Sequence, residues 1–290
     1  MGKKMSYFKH KKCFWINIAM AQHCNLNCKG CAVFSPLAEK NVLSFSQPIK
    51  DFEHIKSISR EIIDFKFSYL GGEPLLNPNF LDIVKRMREL FPNSYQDFLT
   101  NGLLLPDNDE EFWKTIKKLN LNIFISKYPI DIDRTNYEKL AKKFSVKINY
   151  RTINSTKIYS CKTRQVVDNC SINNNLPWTK NVLDLLGTQN HKEKFNNCPY
   201  YGGLIYSNGN LYSCCIHAYI QNFINYFKVD IPITYHDYIC VQNLKNIAEI
   251  DSFLQTPKPL CRFCKQVYIF SENEKQIEWD FSNKSISEWT

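Results

Sequence analysis

Residues 24–31 have the sequence CNLNCKGC, in which three cysteines are separated first by three residues and then by two. Four thiolates saturate a 4Fe-4S cluster, so a set of three, Cys24, Cys28 and Cys31, would leave one iron open to another ligand. Zinc is the alternative, with neighbouring His23 as the fourth ligand, but zinc sites usually pair their cysteines as C-x2-4-C. The spacing therefore favours an iron-sulfur cluster with one open iron.

Residues 71–74 have the sequence GGEP and directly follow an apolar stretch, residues 67–70, that predicts a buried strand. Glycines let the backbone approach another group closely, and a glutamate accepts charge-assisted hydrogen bonds from an ammonium group. Alone, such a segment is most often an ordinary turn after a strand. Its position downstream of the three cysteines gives it more weight.

The cysteine motif and the GGEP segment, in this order, resemble those of the radical SAM superfamily. In that family the open iron chelates the amino and carboxylate groups of S-adenosylmethionine, and a Gly-Gly-Glu segment at the end of the second strand lies against the methionine part of that cofactor. The resemblance implies that Cys24, Cys28 and Cys31 hold a 4Fe-4S cluster. It also implies that the cofactor is bound by Gly71, Gly72, Glu73 and Pro74, with Glu73 facing the ammonium.

One position departs from the family pattern. The residue before the last cysteine is often aromatic in the family and packs on the adenine, whereas this chain has Gly30. Adenine stacking must then come from another side chain, for which Phe34 is a candidate. An aromatic residue just past such a loop is, however, more often part of the hydrophobic core.

Apolar and helix-forming stretches alternate along residues 14–150 and predict an α/β fold with a parallel sheet and right-handed crossovers. The candidate strands are residues 14–20, 67–70, 96–99, 122–126 and 146–150, and the candidate helices are residues 49–63, 81–91, 110–119 and 136–144. The resemblance implies a partial (β/α)6 barrel. Functional groups gather at the carboxyl ends of parallel strands. There, Asn101, Ser126 and Lys127 match positions at which the family contacts ribose or carboxylate.

A second set of cysteines follows residue 190. Cys198 precedes a predicted hairpin, residues 206–212, with Asn-Gly at its turn, and Cys214 follows on the return strand. A later CxxC pair, Cys261 and Cys264, completes four thiolates. The arrangement resembles the twitch domain, a shortened SPASM domain that holds one auxiliary 4Fe-4S cluster, although four thiolates also suit a structural zinc ion.

Strand alternation places Cys215 on the opposite face from Cys214 and argues against it as a ligand. The resulting organisation is a radical SAM partial barrel over residues 12–150, a bridging region over 151–190, a twitch-like domain over 191–270 and a C-terminal tail over 271–290.

Composition limits the partners. The 290 residues are 44% hydrophobic and 14% aromatic, as in a folded protein, and 37 basic against 28 acidic residues give a net charge of +9. A positive field favours an anionic small-molecule substrate, such as a phosphorylated or nucleotide-linked one. No interleaved aromatic and basic pattern indicates nucleic acid.

Cysteine usage and hydropathy address the compartment. No stretch approaches the ~18 apolar residues of a membrane span, so we expect none. Twelve cysteines could form a disulfide scaffold, but the chain is long for one and the spacing suits clusters better. We expect a reducing, cytoplasmic compartment.

The resemblance implies a reaction as well. An electron donor like flavodoxin or ferredoxin would reduce the first cluster, which cleaves S-adenosylmethionine to a 5'-deoxyadenosyl radical that abstracts a substrate hydrogen. With an auxiliary cluster as electron acceptor, the expected outcome is dehydrogenation of a sugar-like or polyol molecule. Epimerisation, peptide modification and a non-enzymatic redox-sensing module with iron-sulfur or zinc are the alternatives.

The sequence does not single out the catalytic side chain. Four residues are weak candidates for a base or hydrogen donor: Cys161, Cys170, Lys127 and Arg151. The two cysteines lie between the two cluster motifs, and most cysteines in such positions are inert and buried.

Overall fold

The computed structural model describes residues 12–59, 63–106, 109–152, 181–198, 203–267 and 279–290. Strands and helices alternate through its first half. The strands are β1 (Lys12–Ala21), β2 (Ile63–Gly71), β3 (Tyr95–Thr100), β4 (Asn122–Lys127) and β5 (Ile148–Thr152). The helices between them are α1 (Ser46–Ile58), α2 (Phe80–Leu90), α3 (Glu110–Lys118) and α4 (Thr135–Lys143). This confirms the predicted order of elements.

The second half is built from shorter elements. They are β6 (Asn181–Leu183), α5 (His191–Asn196), β7 (Leu204–Ser207), β8 (Asn210–Tyr212), α6 (Cys215–Phe227), β9 (Tyr238–Cys240), α7 (Ala248–Gln255) and β10 (Cys264–Val267). No helix among the described residues has both the length and the apolar character that a membrane span requires.

One eight-stranded sheet, in the order β5-β4-β3-β2-β1-β7-β8-β9, connects the two halves. Strands β1 to β5 are parallel to their neighbours, and β7 pairs in parallel with the free side of β1. The predicted α/β fold with a parallel sheet is therefore confirmed. The sixth parallel strand next to β1 comes from the C-terminal hairpin, a long-range pairing that the local sequence pattern does not contain.

The hairpin β7–β8 has the predicted Asn-Gly turn. Asn208 and Gly209 both have positive φ, 46° and 84°, as the tight two-residue turns of hairpins require. The buried carboxylate of Asp51 on α1 accepts a 2.6 Å hydrogen bond from Tyr206 Oη and another of 2.6 Å from Gln242 Nε2. These contacts anchor the hairpin and the turn after β9 to the first half of the chain.

Helix α1 ends earlier than predicted. The pattern predicted a helix to residue 63, but α1 ends at Ile58, and Ser59 has extended backbone angles with its hydroxyl donating to Ile55 O. The boundary was wrong because the apolar residues at the start of β2 continue the helical spacing of α1 and belong to a strand.

The strands of the parallel sheet have one apolar and one polar face. Ile18, Phe67 and Phe98 lie in the hydrophobic core that the helices cover. On the opposite face, Asn17, Ser68 and Asp97 are paired neighbours across β1, β2 and β3. Alternation of side chains along a strand produces both faces. The polar face is the one that a barrel interior would present to a substrate.

A second hydrophobic core lies in the C-terminal half around α6. Phe223 of α6 contacts Phe34 and Trp289, with ring centroids 5.6 and 6.4 Å away, and all three rings are fully buried. Phe34 follows the cysteine loop and Trp289 is close to the end of the chain. This core thus connects the loop after β1 to the C-terminal half.

Candidate iron-sulfur and cofactor site

The two glycines of the GGEP segment join the end of β2 to the start of the cysteine loop. A Cβ atom on Gly71 would lie 2.3 Å from Ala21 O, and one on Gly72 would lie 2.0 Å from His23 O. Both distances are shorter than any real contact, so only glycine fits. Across this junction Gly72 N donates to Ala21 O at 2.8 Å, and Glu73 N donates to His23 O at 3.1 Å.

Glu73 is completely buried and joins β2 to β3. Its carboxylate accepts hydrogen bonds from Thr100 Oγ1 at 2.8 Å, Asn101 N at 2.9 Å and Leu75 N at 3.2 Å. Burial raises the pKa of the Glu73 carboxyl from its ordinary value of 4.5 to about 7, against the opposing effect of these three donors. A carboxylate has about four lone-pair positions, so capacity for another donor remains.

Asn101 connects the end of β3 to the first cysteine. Its side-chain nitrogen Nδ2 donates to Asn25 Oδ1 at 2.7 Å and lies 3.6 Å from Cys24 Sγ. Glu73 is bonded to the backbone of the same residue. The fold therefore brings together three residues that the sequence predicted separately, Cys24, Glu73 and Asn101.

The three thiols of the loop accept hydrogen bonds from different groups. Leu26 N donates to Cys24 Sγ at 3.3 Å, and the amides of Val33, Phe34 and Ser35 donate to Cys31. Such N–H donors favour a thiolate, but burial is stronger and raises the pKa of Cys24 and of Cys28 to about 12. A bound cation reverses this balance, because a coordinating thiol loses its proton outright.

Two aromatic residues beside Cys28 were not found by sequence reasoning. Tyr128, just after β4, forms a hydrogen bond with the Cys28 thiol, and Trp279 also acts to lower the pKa of that thiol. The centroids of the Tyr128 and Trp279 rings lie 5.7 Å apart. Trp279 Nε1 is buried and has no hydrogen-bond partner other than the Cys28 thiol in the described part of the chain. A tyrosine directly after the end of β4 was the local signal.

Phe34 does not provide an open face for a cofactor. It is fully buried between Phe223 and Trp289, so it belongs to the second core, and the suggestion that it stacks on an adenine is wrong. Gly30 has φ +62°, a left-handed conformation that favours glycine, and its amide donates to Glu288 Oε2 at 3.3 Å.

The remaining predicted residues lie at the end of the sheet formed by β4 and β5. Ser126 is half-buried and pairs in register with Arg151. Lys127 is exposed, and its ammonium lies 4.2 Å from the centroid of the Tyr150 ring. Cys161 and Cys170 fall outside the described residues.

Arg151 faces an acidic side chain that sequence reasoning missed. Its guanidinium interacts with Asp97, whose carboxyl also receives hydrogen bonds from Ser68 and Tyr95. Burial raises the pKa of Asp97 to about 6, and burial lowers the pKa of Arg151. The alternating sequence of β3, with Asp97 on the face opposite Phe98, is the signal that could have identified it.

The second set of cysteines converges in the C-terminal half. Cys198 lies close enough to Cys214, Cys261 and Cys264 to raise the pKa of each of their thiols, although burial is the larger cause in all three. Repulsion between thiolates of this kind indicates that the thiols lie near one another. The fold thus brings together the four residues that the sequence predicted as a set.

Cys215 does not lie on a strand. It is the first residue of α6, and Cys214 immediately precedes that helix, so the argument from strand alternation was wrong. Cys214 interacts with Cys198 and Cys261 and therefore fits the set. Cys261 lies in a short 3-10 helix, Pro259–Phe263, and Cys264 begins β10. The junction of these two elements therefore carries both cysteines of the CxxC pair.

His217 is a further polar neighbour of this second set. It is buried on the first turn of α6, and its Nε2 lies 3.8 Å from Cys261 Sγ. Burial lowers the pKa of its ring from 6.5 to about 4. Among the described residues, no group of three or more His, Cys, Asp or Glu side chains is arranged to hold a metal ion, so neither thiol set forms a preformed metal site.

The geometry defines a class of protein: an α/β protein with a three-cysteine loop at the carboxyl end of the first strand of a parallel sheet, next to a Gly-Gly-Glu turn. The family model of the radical SAM superfamily matches residues 18–172, more than half of the chain. The chain therefore belongs to the radical SAM superfamily and is an enzyme of that family, which implies a 4Fe-4S cluster and S-adenosylmethionine.

Two curated relatives are named GTP 3',8-cyclase. The protein of Clostridium acetobutylicum is 25% identical over 182 residues, 59% of this chain and 56% of that protein. The protein of Microcystis aeruginosa is 28% identical over 116 residues, 38% of this chain and 34% of that protein. The chain thus spans about half of the first relative and a third of the second.

A solved structure is similar over nearly the whole chain. The crystal structure of BtrN in complex with AdoMet and 2-DOIA has a TM-score of 0.52 and 15% sequence identity, and the match covers 91% of this chain and 96% of that one. At this level of identity the likeness concerns the fold.

Proposed function

We propose that the protein is a radical SAM oxidoreductase that dehydrogenates a sugar-like or polyol small molecule. The observation that carries this proposal is the second set of thiols, Cys198, Cys214, Cys261 and Cys264, which lie together in the C-terminal half. Four thiolates suit a complete 4Fe-4S cluster, and such a cluster can accept an electron. A dehydrogenation needs an electron acceptor, whereas an epimerisation does not.

The first site would be held by Cys24, Cys28 and Cys31, whose loop receives N–H donors at two of the three sulfur atoms. When bound there, S-adenosylmethionine would supply the radical chemistry of hydrogen abstraction. Glu73 and Asn101 are the residues we assign to hold the cofactor, together with Gly71, Gly72, Pro74 and Ser126.

The polar face of the sheet provides groups that suit a hydroxylated substrate. Ser68 accepts a 2.7 Å hydrogen bond from Trp15 Nε1, and Asp97 pairs in register with Ser68 and interacts electrostatically with Arg151. Hydroxyl groups both donate and accept hydrogen bonds, so a carboxylate, a guanidinium and a serine on one face of the sheet complement a polyol. With a pKa of about 6, Asp97 is mostly ionised at neutral pH and can accept a hydroxyl proton.

The named relatives support a related substrate class. Both are GTP 3',8-cyclases, which the name links to a nucleotide. A nucleotide-linked or otherwise anionic sugar would also match the net charge of +9 and the cationic group of Arg151. The electron donor in this proposal is a flavodoxin- or ferredoxin-like protein, and the setting is the reducing cytoplasm.

The test is incubation of the anaerobically reconstituted protein with S-adenosylmethionine and a panel of polyols, sugars and nucleotide sugars. We expect 5'-deoxyadenosine and a product that has lost two hydrogen atoms, both measured by mass spectrometry. The Cys261→Ala/Cys264→Ala variant should still cleave S-adenosylmethionine in part but form no oxidised product. Product of unchanged mass that carries one solvent deuterium would contradict dehydrogenation.

Metal analysis separates the two possibilities for the second site. A second 4Fe-4S cluster predicts about eight irons per chain, whereas a structural zinc predicts about four irons and one zinc. The Cys261→Ala/Cys264→Ala variant should keep about four irons in either case. Zinc in the wild-type protein would remove the electron acceptor and with it the argument for dehydrogenation.

A further inference from the structure

The C-terminal segment, residues 279–290, lies directly on the three-cysteine loop. Lys29 N donates to Asp280 O at 2.9 Å and Ser282 N donates to Asn27 O at 2.9 Å, which forms an antiparallel bridge between Cys28 and Phe281. The side-chain amide of Asn27 adds a 2.7 Å hydrogen bond to Ser282 O. Segments some 250 positions apart in sequence are thereby paired through the backbone.

Glu288 holds the part of the loop that follows the bridge. It is buried, and its Oε2 accepts from Gly30 N at 3.3 Å and from Ser282 Oγ at 2.7 Å. Its Oε1 accepts from Asn283 N at 2.8 Å and Ser285 N at 3.3 Å. The carboxylate therefore satisfies four donors, one of which belongs to the cysteine loop.

Trp289 completes the contact at the last cysteine. Its indole Nε1 donates to Cys31 O at 3.0 Å, and its own carbonyl accepts from Leu183 N at 2.6 Å. The fully buried ring packs on Phe34, with centroids 6.2 Å apart. Every residue from 27 to 31 thus touches the C-terminal segment through the bridge, Glu288 or Trp289.

We propose that residues 279–290 form a clasp that holds the cysteine loop in the shape needed to present Cys28 and Cys31, so that Glu288 and Trp289 are positioning residues for the first cluster. The proposal rests on the cluster assignment to Cys24, Cys28 and Cys31. Loops without regular pairing open readily, and each retained backbone hydrogen bond shifts that equilibrium toward the closed form. A closed loop keeps its thiols together and releases iron slowly.

Two variants loosen the clasp in different ways. Trp289→Phe keeps an aromatic ring but removes the indole donor to Cys31 O. Glu288→Gln keeps the shape of the side chain but replaces one carboxylate oxygen with an NH2 group. That group cannot accept the hydrogen bonds that the oxygen accepts. The matched control is Ser287→Ala, since Ser287 is exposed and its hydroxyl contacts Ser285 in the same segment.

The first measurement is hydrogen-deuterium exchange of the iron-free chain, which does not depend on the cluster. Loss of one hydrogen bond should speed deuterium uptake in peptide 24–31 about fivefold in Trp289→Phe, and Glu288→Gln should speed it about tenfold or more. Uptake in peptide 63–71 of β2 should not change, which distinguishes local loosening from global unfolding. Unchanged uptake in peptide 24–31 of both variants would overturn the clasp.

The second measurement is the rate at which a chelator removes iron, followed with the change that S-adenosylmethionine causes in the EPR spectrum of the reduced protein. That change reports the cluster with the open iron alone. We expect it to decay several-fold faster in both clasp variants than in wild type and Ser287→Ala. Equal decay would overturn the proposal. Wild-type protein without such a signal would instead overturn the cluster assignment, while the exchange result would still decide whether the segment holds the loop.

Discussion

Glu73 makes the stability of the iron-free protein depend on pH in a predictable direction. Burial raises the pKa of its carboxyl from 4.5 to about 7, so the folded protein binds this proton more tightly than the unfolded chain. The stabilisation is fully present below the unfolded pKa and is lost as pH rises through the folded pKa. As pH rises from about 5 to about 8, ionisation of Glu73 should therefore lower the free energy of unfolding by about 2–3 kcal/mol, a magnitude that follows from these two pKa values.

The Glu73→Gln variant isolates this effect. Urea unfolding of the iron-free, reduced proteins across that pH range gives the free energy of unfolding of each, and wild type should lose about 2–3 kcal/mol relative to the variant as pH rises. Asp97, whose pKa is also raised by burial, is common to both proteins and cancels in the difference. Glu39→Gln removes the same charge from an exposed glutamate and should give a flat difference. A flat or rising difference for Glu73→Gln would refute the reasoning.

Three further perturbations follow from the structure. Gly72→Ala would place a Cβ atom 2.0 Å from His23 O and should lower the free energy of unfolding by on the order of 3 kcal/mol, measured by urea unfolding. His217, whose pKa is lowered by burial to about 4, should make wild type lose on the order of 3 kcal/mol as pH falls from 6.5 toward 4, and His217→Leu should lack this loss in acid unfolding curves. Asp97→Asn should leave 5'-deoxyadenosine formation measurable but lower product formation by ~10²-fold or more, measured by chromatography of both compounds.

The sequence predicted the parts of the site whose signals are local. Cysteine spacing, the GGEP segment and the Asn-Gly hairpin are each contained in a few neighbouring residues, and the structure brings Cys24, Glu73 and Asn101 together as parallel strands require. The glycines, however, have a second role that the sequence did not indicate. They fit against the backbone of the cysteine loop, a contact visible only once β1 and β2 are paired.

Other parts depend on contacts between distant segments. The pairing of β7 with β1 and the contacts of Glu288 and Trp289 with the cysteine loop have no periodicity or motif of their own. Cys215 shows a different cause of error, because a helix begins where the hairpin pattern predicted that a strand continues. Asp97 was within reach of sequence reasoning, since alternation along β3 separates it from the apolar face.

The central claim is that Cys24, Cys28 and Cys31 hold the cluster that cleaves S-adenosylmethionine. Its most direct test compares the anaerobically reconstituted wild-type protein with a variant in which all three cysteines are replaced by alanine, with 5'-deoxyadenosine and iron per chain as readouts. We predict that the variant forms no 5'-deoxyadenosine and contains about four fewer irons. Cleavage of S-adenosylmethionine that persists in the triple variant would contradict the claim.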